Sequence, residues 1–191
     1  LDAKALSRIT IAPNNENQVY VSSYNNGLVK IEDDVPTTLF QSANSDLESI
    51  FSGSLENIRI GPSIFDRTNN LWVTNSRIKN GLKVLKPTGQ WQTYDMESIL
   101  LEIAGRIVID RNGTKWIASS KNGVIAFNET TNVFKKIIDG IDEGNLPSKN
   151  VQALAIDNRN QVWIGTTMGL RVLSSVSSYN SEGQMNTNRI V

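Results

Sequence analysis

The chain has 191 residues, 39% of them hydrophobic, with 19 Lys+Arg against 19 Asp+Glu. That is enough apolar material for a substantial core, and zero net charge leaves no long-range pull toward a nucleic-acid backbone or an anionic membrane surface. With neither cysteine nor histidine, the chain lacks thiolate and imidazole metal ligands, disulfides, a nucleophilic thiol and a Ser-His triad.

Residues 7–13 form a short apolar-rich run, Asn14 to Asn17 a polar turn, and Gln18 to Ser22 a second run: a strand, a turn and a strand. Tyr24-Asn25-Asn26-Gly27 turns the chain into Leu28 to Ile31, and Thr37 to Phe40 adds a fourth strand after Asp33-Asp34. Beyond a polar, acidic connection at 41–57, the order repeats. Ile58 to Ile60 with Ile64 to Asp66, then Leu71 to Thr74, Gly81 to Leu85 and Trp91 to Tyr94 make a second unit. Arg106 to Asp110, Lys115 to Ala118, Gly123 to Phe127 and Val133 to Ile137 make a third. The fourth runs through Val151 to Asp157, Val162 to Thr166 and Gly169 to Leu173, and then fades into a Ser/Asn-rich stretch. No outer strand is expected between Ser174 and Asn188, and Ile190-Val191 reads as the start of one.

The aromatic anchors Tyr20, Trp72, Trp116 and Trp163 recur at intervals of 52, 44 and 47 residues, a period that belongs to propeller blades of four antiparallel strands. Gly27, Gly81, Gly123 and Gly169 follow the anchors by 7, 9, 7 and 6 residues, and Asp66, Asp110 and Asp157 each stand six before their Trp. Pro13 takes that place in the first unit, the most degenerate of the four. The chain is therefore expected to be an all-β β-propeller region over 1–191. Its four blades lie at about 6–42, 58–95, 105–138 and 151–191, the last incomplete. Leu1 and the terminal apolar pair suggest a piece of a longer chain, an arc of a larger ring. No apolar run approaches the ~20 residues of a membrane span.

The Trp anchors sit mid-strand beside Val or Ile, where burial of a large ring is the first explanation. Asp110 to Thr114 and Asp157 to Asn160 share fragments of a calcium loop but lack its twelve-residue frame and final Glu, and read as hairpin turns in which the Asp accepts backbone hydrogen bonds. Asn112-Gly113-Thr114 and Asn128-Glu129-Thr130 match the short glycan-acceptor pattern. Carboxylates are the only acid–base candidates, and a pair from two blades on a channel rim would suit glycosidic cleavage. Asp33-Asp34, on a strand-connecting turn, reads as a solvated pair. No catalytic residue, metal ligand or cofactor is assigned, and no enzyme activity is expected.

The segment 58–91 is locally basic, with one acid and six bases. Arg77, Lys79, Lys83 and Lys86 there form either an anion-attracting patch or the ordinary solvated face of strands. The second-to-third-strand loops and the inter-blade connections share one face of a propeller, around its channel. Loops on a rigid scaffold commonly carry function, so Tyr24, Arg77, Lys79 and Lys121 are the expected contacts for a protein or glycan ligand.

The strings NLWVTNSRIKNGLKVL, TKWIASSKNGVIAF and LPSKNVQALAIDNRNQVWIGTTMGLRVL resemble the two-component regulator propeller repeat. Leu146-Pro147-Ser148, Asp157, Trp163-Ile164-Gly165-Thr166 and Gly169-Leu170 match its motif directly; Thr74-Asn75 and Ala118-Ser119 depart from Gly-Thr, and residues 1–57 match poorly. The resemblance implies seven-bladed rings outside the cytoplasm of Gram-negative bacteria, either sensing ligands for hybrid histidine kinases or serving secreted and surface proteins. The run Arg171 to Ser175 is also similar to PorZ-type propellers of type IX secretion. That likeness implies a non-catalytic surface protein working with a sortase, anionic lipopolysaccharide and the remaining blades of its parent. The repeat motif itself is structural and assigns no binding residue.

Overall fold

A computed structural model describes residues 3–96, 99, 102, 104–180 and 184–190. The chain packs as two units, Leu1–Leu101 and Glu102–Val191. Each unit contains two four-stranded antiparallel sheets whose strands follow one another in sequence order, the meander of a propeller blade.

In the first unit, one sheet is β1 (Leu6–Ala12), β2 (Asn15–Ser23), β3 (Gly27–Glu32) and β4 (Val35–Phe40). The next is β5 (Ile60–Phe65), β6 (Leu71–Asn75), β7 (Leu82–Leu85) and β8 (Trp91–Tyr94). Ile58 precedes β5 as an isolated bridge to Asn26, and Gly61-Pro62 falls inside β5 as a register break between Ile60 and Ser63. Proline is tolerated there because β5 is an edge strand and the break frees it from the ladder. Similar irregularities mark the start of β1 and of the first strands of the second unit, bulges that bend the first strand of each sheet.

The second unit holds β9 (Ala104–Ile109), β10 (Lys115–Ser119), β11 (Val124–Asn128) and β12 (Val133–Ile137), then β13 (Val151–Ile156), β14 (Val162–Thr166), β15 (Gly169–Leu173) and β16 (Asn188–Arg189). Here the structure departs from the expectation of a missing outer strand. β16 pairs Asn188 with Val172 and Arg189 with Arg171. It is only two residues long because the connection before it forms a 3-10 helix at Val176–Asn180 and buries Val176, Tyr179 and Met185. Ile190 lies beyond β16, and Val191 is outside the described residues.

Cores form between consecutive sheets of a unit. Tyr20 and Leu28 of the first sheet meet Ile60, Leu71, Val73 and Leu85 of the second. Trp116, Val124 and Ala126 meet Val151, Leu154, Val162 and Ile164. The connections contribute anchors that periodicity does not reveal: Leu47, Met96 and Leu146 are buried although their loops are polar. Strands β6, β7, β10 and β11 are buried along their whole length. In contrast β1 exposes Ile9 at 70% and Ile11 at 57%, and in the fourth sheet Trp163 is only half-buried while Leu170 is 43% exposed.

Candidate functional site

At one end of the sheets, the turns after the first strand repeat a single construction. The Asp66, Asp110 and Asp157 backbone N–H groups donate to the carbonyls of Asn70, Thr114 and Gln161, four residues on, and the third residue of each turn donates back to the Asp carbonyl. That third residue is Asn69, Gly113 or Asn160, at φ of 60°, 81° and 64°, the left-handed region that Gly and Asn accept most readily. Each Asp Oδ1 accepts two backbone N–H groups: Thr68 and Asn70 at 2.9 and 3.0 Å, Asn112 and Thr114 at 2.8 and 3.0 Å, Arg159 and Gln161 at 2.9 and 2.9 Å. Each Oδ2 accepts the indole Nε1–H of Trp72, Trp116 or Trp163, at 2.8, 3.0 and 3.0 Å.

At Asp66 and Asp157 these bonds favour the carboxylate over the acid. Burial pushes Asp66 up, but the Trp72, Asn70 and Thr68 donors outweigh it and hold the group at about 2. The Gln161 N–H, with Trp163 and Arg159 behind it, holds Asp157 at about 2 against its own desolvation. A carboxylate held that low, with both oxygens engaged, is a turn clamp and a poor proton donor near neutral pH. The first sheet has no such clamp, since Pro13 stands near the Asp place and Tyr20 replaces the indole. Asn128 is likewise occupied: its Nδ2 donates to the Asn112 carbonyl and Thr114 Oγ1, both at 3.1 Å, which removes it as a free glycan acceptor. Asp33, at φ 49°, sits in the β3–β4 turn and accepts Asn17 Nδ2 at 2.8 Å.

At the opposite strand ends, the β2–β3-type loops are capped by hydroxyls. Ser23 Oγ accepts the Asn25 and Asn26 N–H groups, Ser119 Oγ those of Lys121 and Asn122, and Thr166 Oγ1 that of Met168. Gly27 (φ 98°) and Gly123 (φ 72°) close the loops where a Cβ would lie 2.1 Å from the Phe40 or Ile137 carbonyl oxygen. Gly81 packs beside Met96 instead, and Gly169 stands clear of Pro147.

Of the four expected contact residues, Tyr24 lies under the Arg59 guanidinium, 5.5 Å from its ring centroid. Arg77 is exposed at φ 63°. Lys79 pairs with Asp95 at 3.2 Å and Lys121 with Glu102 at 3.0 Å, each loop lysine meeting an acid from an adjoining connection. Exposed pairs of this kind contribute little, but they lower the local positive potential. Tyr24, Arg77 and Lys79 belong to one unit and Lys121 to the other.

Lys83 departs from both sequence readings of the basic segment, for its side chain is fully buried, neither patch nor solvated face. Its Nζ donates to Glu48 Oε1 at 2.6 Å, and Glu48 is pinned in turn by Asn75, whose Oδ1 accepts the Glu48 N–H and whose Nδ2 donates to the Glu48 carbonyl. Burial pushes the Lys83 ammonium below its ordinary range, and Glu48 pulls it back up. Strand alternation misses this because the partner comes from the connection 41–57. Tyr179 was also hidden in a Ser/Asn-rich stretch. Its hydroxyl accepts the Asn128 N–H at 3.1 Å and donates to the Val133 carbonyl, and its ring meets Trp116 edge-on at 6.5 Å. Among the described residues no group of three or more acidic side chains gathers as a metal site, and no helix is long and apolar enough to cross a membrane.

Four sheets of one meander, two with a glycine-closed loop and three with an Asp–Trp clamp, define a β-propeller. Within it, residues 145–168 match the family model of the two component regulator propeller. No curated protein matches the chain by sequence. Among solved structures it is similar to PorZ of the type-IX secretion system of Porphyromonas gingivalis, with a TM-score of 0.81 and 20% identity over 95% of this chain and 26% of that one. It is also similar to the extracellular domain of the hybrid two component system BT3049 from B. thetaiotaomicron, with a TM-score of 0.68 and 17% identity over 96% and 23%. A third likeness is to virginiamycin B lyase from Staphylococcus aureus, with a TM-score of 0.69 and 13% identity over 100% and 58%. The chain spans about a quarter of the first two.

Proposed function

We propose that this chain is a non-catalytic binding and scaffold module, an arc of a larger β-propeller, working outside the cytoplasm of a Gram-negative bacterium in a PorZ-like type IX secretion surface protein. The observation that carries this reading is that the repeat's polar groups are engaged internally: every clamp Asp has both oxygens bonded, and the loop hydroxyls cap their own turns. Specificity then rests on the exposed loops carrying Tyr24, Arg77, Lys79 and Lys121, toward a protein or glycan. The remaining blades of the parent would cover the apolar faces that Ile9, Ile11, Trp163 and Leu170 present, and a sortase and anionic lipopolysaccharide are the partners in secretion. Virginiamycin B lyase shows that a propeller can be an enzyme, but its inactive form carries a histidine-to-alanine change, and this chain has no histidine.

The test is to delete residues 1–191 from the parent protein and follow surface attachment of secreted cargo. Loss of attachment supports the scaffold role; normal attachment overturns it. Turnover of a polysaccharide by the purified chain, abolished by changing one Asp or Glu, would overturn the non-catalytic reading. The match at 145–168 and the likeness to BT3049 favour a second reading, a ligand-sensing domain of a hybrid histidine kinase, for which the parent gene must encode a membrane span and kinase modules.

A further inference from the structure

The turn end of the first unit contains a cavity of about 300 Å³ between its two sheets. It opens where the repeat is most degenerate. Later sheets set an indole at this position and bond it to an aspartate, whereas here Tyr20 replaces the indole and no carboxylate lines the cavity. The Tyr20 residue is 6% exposed and lines the cavity, so that its phenol is reached from the opening. A phenolic O–H in that place can donate to an acceptor on a ligand.

The other walls define what would fit. Phe40 and Phe65 supply apolar ring surface, Phe65 meeting Tyr20 edge-on at 5.8 Å. Asn14 and Asn69 line the polar side. Lys30 and Lys86 are the charged residues of the lining; Lys30 is held by Glu32 at 2.9 Å, and the Lys86 ammonium lies 6.0 Å from the Trp72 ring centroid. A cavity of about 300 Å³ admits a fused ring with a short side chain.

We propose that this cavity binds a small aryl carboxylate, its ring against Phe40, Phe65 and the Tyr20 ring, its carboxylate accepting the Tyr20 hydroxyl on the side of Lys86. Burial, with Glu32 second, pushes the Tyr20 hydroxyl up to about 12, so it remains a donor throughout the physiological range. The site is separate from the loop surface of the scaffold reading and stands or falls independently of it.

Indole-3-acetate titrated into the 191-residue chain, followed by amide chemical shifts, tests the site, with indole and acetate as separate arms. The expected result is saturable binding that shifts Asn14, Asn15, Gln18 and Asn69, weaker binding of indole, and none of acetate. Tyr20→Phe should weaken binding about tenfold, the worth of one hydrogen bond to a charged acceptor. Tyr20→Trp, whose larger ring reaches into the cavity, should abolish it while leaving a dispersed amide spectrum; Ala12→Leu narrows the cavity from β1 and serves if Tyr20→Trp does not fold. No saturation by about 10 mM, undiminished affinity in the cavity-filling variant, equal binding of acetate, or shifts confined to other residues would each overturn the proposal.

Discussion

Trp116 and Trp163 hold the same place in the repeat, and each donates its indole N–H to an Asp at 3.0 Å; they differ in burial. Trp116 is fully buried in the core of its unit, whereas Trp163 is only half-buried. Removing a buried large aromatic costs about 3–5 kcal/mol. Trp116→Ala should fall at the upper end, because Asp110, 3% exposed, loses a donor and Tyr179 loses its ring partner. Trp163→Ala forfeits the bond and part of the burial, about 2 kcal/mol on the same scale. Urea denaturation compares them through the midpoint shift at constant m, with Arg77→Ala as an exposed control expected below about 0.5 kcal/mol. Equal losses at the two tryptophans would refute burial as the origin of the difference. In a chain extended by the next blade, the Trp163→Ala cost should rise toward that of Trp116→Ala.

The clamp predicts acid sensitivity. Asp66 is held at about 2, below its ordinary 3.8, so its contribution is complete above the unfolded value and is lost as pH falls from about 4 toward 2. Melting temperatures between pH 5 and pH 2 should drop less steeply for Asp66→Asn than for the parent chain; parallel slopes would refute the linkage. Glu48→Gln should cost about 1–3 kcal/mol by removing the countercharge of the buried Lys83 ammonium while keeping an amide acceptor, whereas Lys83→Met should change stability by less than about 1 kcal/mol, both read by urea denaturation. Gly123→Ala drives a Cβ to 2.1 Å from the Ile137 carbonyl and should cost more than 2 kcal/mol, while Gly113→Ala, with open space around it, bears only the left-handed strain of about 1–2 kcal/mol; thermal melts that rank them equally would count against the close approach.

The blades were legible because the signals that specify them are local and redundant. Alternating strands, an Asn or Gly at the turn and a Trp six residues after an Asp all point to one hairpin, and three copies share one hydrogen-bond set. What escaped notice comes from residues acting across long sequence separations. Glu48 meets Lys83 from a connection, and Tyr179 reaches back to Asn128 and Val133 from a segment without periodicity. The short β16 has no sequence signal, because two exposed residues carry no strand pattern; pairing with Arg171 and Val172 defines it. The contact residues had no sequence signal beyond loop position, and Lys79 and Lys121 prove to have acidic partners from neighbouring connections.

The departures from the repeat carry information that the repeat cannot. A motif copied from blade to blade is explained by the blade's own stability, since the Asp–Trp clamp satisfies groups that would otherwise be stranded at the turn. A position that breaks the pattern needs a separate physical account, either relaxed constraint or a different task. Lys83 stands where the third sheet has Ile125 and is stabilised by Glu48 of the connection 41–57. Tyr20 replaces an indole and lines an open cavity with its phenol. Both departures fall in the first unit, where the sequence resembles the repeat least. Selection for stability alone would favour restoring the indole and its aspartate there, as at three later positions in this chain. A Tyr20→Trp variant carrying Pro13→Asp that proved more stable yet lost a binding activity would therefore separate the demands of the fold from those of function.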